Sequence, residues 1–132
     1  MTKSSNWMKS ATLLALASAG LLFNAGAFAH GSIKPQHGGI VQMSGETLFE
    51  LLVQPDSVTL YVTDEDDEVA SAGKVAKLTI VYKGARSEVT LQPGAGNLFE
   101  GKGVKIAHGA KVGVMLTDKA TQAKVSANFA VE

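Results

Sequence analysis

From Ile40 onward the chain alternates. Short runs of Val, Leu, Ile, Thr and Phe are broken by Gly, Pro, Asp and Asn, the pattern of strands with one buried and one wet face. It predicts strands near residues 40–43, 47–53, 57–63, 75–82, 87–91, 98–101, 111–117 and 123–131. In the last of these Ala123, Val125, Ala127, Phe129 and Val131 share one face, and Lys124, Ser126, Asn128 and Ala130 share the other, as a period of two requires. Val112, Val114 and Leu116 repeat the alternation, as do Leu78, Ile80 and Tyr82. No window of helical length carries a comparable 3.6-residue stripe. Gln54-Pro55-Asp56, Pro93-Gly94-Ala95-Gly96-Asn97 and Thr117-Asp118-Lys119 supply residues that set or tolerate turn dihedrals. The expected fold is all-β: an antiparallel, seven- or eight-stranded immunoglobulin-like sandwich, with a small β-barrel as the alternative.

Before Ile40 the pattern is of another kind. Lys3 and Lys9 precede an apolar run from Ala11 to Phe23, followed by Ala25, Ala27 and Ala29. This is the three-part layout of a secretory signal peptide, and the run is shorter than the roughly 20 residues that span a bilayer. The domain plan is therefore a signal over residues 1–29 and a single domain over 30–132, with cleavage after Ala29 or, alternatively, after Ala27. The expected location is the periplasm, with no stable membrane anchor after cleavage. Residues 30–38 are too rich in Gly and polar side chains for a strand and are expected to form an arm or loop laid on the domain.

Charge and composition narrow the function. Removing Lys3 and Lys9 leaves 10 basic against 12 acidic side chains, a net charge of −2 with histidine neutral. That argues against nucleic acid or an anionic membrane as partner, since both select basic patches. The chain has no cysteine, so disulfides and thiolate metal sites are out. It has no Gly-x-Ser-x-Gly elbow and no His-Glu-x-x-His helix, and an enzyme is not expected.

The candidate chemistry lies at the junction. Cleavage after Ala29 makes His30 the first residue, so that its amine and imidazole can chelate one ion, with His37 offering a second imidazole. Cleavage after Ala27 puts His30 third, and the amine, two backbone nitrogens and the imidazole then form a square plane. Both arrangements suit Cu(II), and the second also suits Ni(II). Against this stands the plainer reading in which His30 and His37 are polar residues of an arm, two histidines seven apart being no established ligand spacing. His108 could complete a site if its loop meets the arm, although a surface turn residue is the simpler reading. Met43 and Met115 are soft groups able to help hold Cu(I), or side chains that fill space. The acidic run Asp64-Glu65-Asp66-Asp67-Glu68 lacks the register of a calcium loop and reads as a solvated hairpin turn.

His37-Gly38-Gly39 leading into Ile40-Val41, then Phe49-Glu50-Leu51-Leu52-Val53, Leu60-Tyr61-Val62-Thr63-Asp64, Leu91-Gln92-Pro93-Gly94-Ala95-Gly96-Asn97-Leu98 and Gly101-Lys102-Gly103 resemble small exported bacterial proteins and the extra N-terminal domain of heavy-metal efflux adaptors of the resistance-nodulation-division type. The resemblance implies a periplasmic β-sandwich that handles transition metals, with the His-Gly-Gly element as the ligand segment. The usual Asp-Gly hairpin is replaced by Asp66-Asp67-Glu68, and the long histidine-rich arms of many adaptors are missing, so a single site is implied. The likeness to periplasmic copper-resistance sandwiches is looser, because their Asp-x-His-Pro element has no counterpart. The expected function is thus a metal carrier or buffer, with copper as the ion and nickel or zinc as alternatives. Its ligands would be His30, His37 and His108, and its partner a metal efflux adaptor or other envelope protein. The alternative is an interaction module that binds no metal.

Overall fold

The computed structural model describes residues 33–132; the expected signal segment and His30 lie outside them. Among the described residues nine antiparallel strands form: β1 (Ile40–Ser44), β2 (Thr47–Gln54), β3 (Ser57–Asp64), β4 (Asp67–Glu68), β5 (Lys74–Tyr82), β6 (Ala85–Pro93), β7 (Leu98–Lys102), β8 (Lys111–Asp118) and β9 (Lys124–Ala130). All eight expected strands are present within one or two residues of their expected ends. The ninth, β4, is two acidic residues that fold back on the end of β3, pairing Thr63 with Glu68 and Asp64 with Asp67. Two residues carry no period, so alternation could not announce it. The acidic run is accordingly a hairpin, with Glu65 and Asp66 exposed at its tip.

Pairing follows the path β1-β2-β3-β7-β6-β5-β8-β9. It bends at β6, which pairs with β5 from Ala85 to Leu91 and then with β7 through Gln92 and Pro93. A strand that changes partners in this way makes a corner. Two sheets result, β1-β2-β3-β7 with β4 added along β3, facing β6-β5-β8-β9, and their free ends β1 and β9 come side by side. The sandwich and the small barrel are here one object, a rolled sheet with an open seam. Strands β5, β6 and β7 are consecutive neighbours and β8 returns beside β5, which is a Greek key.

The core is the space between the two inner faces. Phe49 and Leu51 of β2, Val58, Leu60 and Val62 of β3, and Phe99 of β7 are fully buried. Facing them are Ala76 and Leu78, Leu91, Val112 and Val114, and Phe129. On β9 the expected inner set is buried from Ala127 onward, while Ala123 lies before the strand and is exposed. Dry packing of this kind follows from the alternation alone: every second residue of a paired strand must go inward.

Candidate functional site

Glu50 belongs to the outer face of the first sheet, since Phe49 and Leu51 on either side of it point into the core. Its register partners are Val41 on β1 and Tyr61 on β3. A carboxylate there would ordinarily stand in water, yet Glu50 is only 3% exposed. The cover is the segment just before β1. Gln36 donates its backbone N–H to Glu50 Oε1 at 3.0 Å, His37 to Oε2 at 2.7 Å and Gly39 to Oε2 at 2.9 Å. His37 Nδ1 lies 3.0 Å from Oε1, and its ring is stacked on Tyr61, with centroids 3.5 Å apart and planes within 2°. The segment from Gln36 to Gly39 is therefore laid on the sheet, held there by the Glu50 carboxylate and the Tyr61 ring.

The two glycines after His37 have separate tasks. Gly38 takes φ +80°, a left-handed conformation open to glycine and costly for other residues. Gly39 passes so close to β2 that a Cβ there would lie 2.5 Å from the Leu51 carbonyl oxygen, well inside van der Waals contact. The His-Gly-Gly element thus combines a ring to stack, a turn to make and a close approach to the strand.

Burial alone would push the Glu50 carboxyl up. The hydrogen bond from His37 and those from the N–H groups of Gly39, Gln36 and His37 outweigh it, and the pKa ends below the ordinary glutamate value. An ionised carboxylate can only accept, so Nδ1 carries the hydrogen and a neutral ring keeps its lone pair on Nε2. Nε2 has no partner among the described residues. Carboxylates fix metal-binding histidines by this same arrangement. His37, Glu50 and Tyr61 border a recess of about 220 Å³ that is also lined by Asp66 and Glu68 of the acidic hairpin and by the buried Asn97. Asn97 is itself tied to β3 by its Nδ2 donating to the Val62 carbonyl at 2.9 Å.

The other sequence candidates are placed elsewhere. His108 is exposed in the loop before β8, with Nδ1 2.7 Å from the Glu132 main-chain oxygen, a contact that ties the loop to the segment after β9. Met43 and Met115 are each 42% exposed, so neither fills the core. They stand on β1 and β8, at positions facing Leu48 and Lys77. Among the described residues no three His, Cys, Asp or Glu side chains are grouped so as to hold a metal ion. His37 is one oriented imidazole, and further donors would have to come from outside this set, where His30 lies. Sequence reasoning did not single out Glu50 or Tyr61. The available signal was a lone carboxylate in the middle of Leu48-Phe49-Glu50-Leu51-Leu52, an otherwise apolar strand.

Comparison with known proteins gives no match: no protein family, curated protein or solved structure is similar enough to this chain to assign it.

Proposed function

We propose that this chain is a periplasmic transition-metal binding protein, with copper as its ion, that acts as a carrier or buffer for an efflux or resistance system. The observation that carries the reading is the Glu50–His37 pair: a buried carboxylate that fixes one imidazole tautomer and leaves Nε2 free beside a recess. His30, seven residues earlier, and the amine that signal cleavage would create supply the additional nitrogens that Cu(II) favours. The resemblance to efflux-adaptor domains points the same way, and an adaptor of that type is the partner we propose.

Native mass spectrometry of the periplasmic protein with one equivalent of Cu(II) tests it. One retained copper is expected, lost in His30→Ala and in His37→Ala. It should be weakened by about 10- to 100-fold in Glu50→Gln, the usual loss when the group behind a metal-binding histidine is removed. Copper retention by both histidine variants would overturn the reading. The second reading, a metal-free interaction module, is favoured by the engagement of His37 with both Tyr61 and Glu50, which suffices to anchor an arm.

A further inference from the structure

The outer face of the second sheet is hollow at its centre. On β8, Gly113 stands between Lys111 and Met115, flanked by Thr79 of β5 and Asn128 of β9. With no side chain at that point, the face forms a trough of about 610 Å³, room for more than one ligand side chain. Val81 and Met115, which border it, are 37% and 42% exposed. Met115 also borders an adjoining hollow of about 320 Å³ that reaches Lys119 and Lys124.

The charge here is one-sided. Lys111, Lys119 and Lys124 form no ion pair among the described residues. The one carboxylate on the outer face of these four strands, Glu88, is engaged by Arg86 at 3.2 Å and Lys77 at 3.6 Å. The acidic run lies instead on the β3–β4 hairpin. In a chain whose expected exported form is net acidic, this leaves a largely apolar trough with Lys111 at its edge, and Lys119 and Lys124 on the adjoining hollow, an arrangement that selects an anionic, partly apolar partner.

We propose that this face docks an extended acidic segment of a partner protein. Its carboxylates meet Lys111, Lys119 and Lys124, and an apolar side chain enters the notch at Gly113 between Val81 and Met115. A lipid surface fits less well, because interfacial binding needs a broad apolar face to insert and here Thr79, Ser126 and Asn128 border the trough. Gln42 of β1 also borders the trough, whereas Gln36 and His37 of the arm border the recess on the outer face of the first sheet, so the proposal does not rest on the proposed metal site.

The test uses the full mature chain and a fluorescein-labelled peptide alternating glutamate with leucine, with a lysine–leucine peptide as control. Anisotropy should show binding of the acidic peptide only, weakening as salt rises. The Lys111→Glu/Lys124→Glu variant should bind about 10-fold more weakly, as expected for two reversed exposed charges. Gly113→Leu should block the notch: a Cβ there comes no closer than 3.3 Å, to the Asn128 side-chain oxygen. Binding in His37→Ala should be unchanged, which separates this result from failure of the metal reading. Equal binding of both peptides, or indifference to the double lysine variant, would overturn the proposal. So would association only with phosphatidylglycerol vesicles, or only with the acidic hairpin of a second copy. Both lysines are exposed, so the double variant decides the matter even if Gly113→Leu folds poorly.

Discussion

Glu50 accepts three backbone N–H groups and an imidazole on its two oxygens, and these bonds, together with the Tyr61 stack, dock the arm. Hydrogen bonds to a charged group contribute about 1.5–3 kcal/mol each, against a desolvation cost of several kcal/mol for a buried ion. Its folded pKa lies below the usual value of 4.5: burial opposes ionisation, and the His37 and backbone hydrogen bonds outweigh that opposition. A carboxyl lowered on folding stabilises the fold above its unfolded pKa and loses that contribution as pH falls through its folded pKa. The arm should therefore hold at neutral pH and loosen in acid. Hydrogen exchange at the amides of Gln36, His37 and Gly39 should show protection that fades below about pH 4.5. In Glu50→Gln it should already be weak at pH 7 and lose this dependence. Equal protection in the variant would mean that the Tyr61 stack alone holds the arm.

The β3–β4 hairpin has the opposite electrostatics. Glu65 is pushed up, first by the charge of Glu46 and then by a hydrogen bond with it and by Asp64. A carboxyl raised on folding works against the fold once ionised, and that penalty lifts as pH falls through its folded pKa. Backbone strain adds to it: Glu65 and Asp66 both sit at positive φ, +50° and +72°, where a two-residue hairpin favours Asn-Gly or Asp-Gly. Asp66→Gly should stabilise the protein by about 1 kcal/mol and raise Tm by roughly 4–8 °C, read by differential scanning calorimetry. A lower Tm would show that the Asp66 side chain supports the turn.

The remaining hairpins are legible where alternating apolar residues stop at Pro55-Asp56 or at Thr117-Asp118-Lys119 and then resume. The first two residues of β6, Ala85 and Arg86, are not, since an exposed start to a strand leaves no apolar mark. At the arm, sequence singled out the His-Gly-Gly element but not its partner. Mid-strand Glu50 reads as solvent-facing until the preceding segment folds back over it, and that is a long-range event.

Across the whole molecule, the inner faces of both sheets meet in one core, with Phe99 fully buried beside the corner that β6 makes. Phe99→Ala should cost about 3–5 kcal/mol. Urea unfolding followed by far-UV circular dichroism and by tyrosine fluorescence should still give a single coincident transition. Two separate transitions would mean that the sheets are independent units. The corner also bears on how the fold is reached. The β1-β2-β3 meander, the docked arm and the β5–β6 hairpin all close short loops. Pairing Ser57 with Lys102 and Lys74 with Asp118 closes long ones, and their entropy must be lost before any core contact repays it. Assembly is therefore gated by the arrival of β7 and β8 around the bend in β6. Until then each hairpin exposes unpaired edges, and this is the interval in which the chain is most open to mispairing with its neighbours.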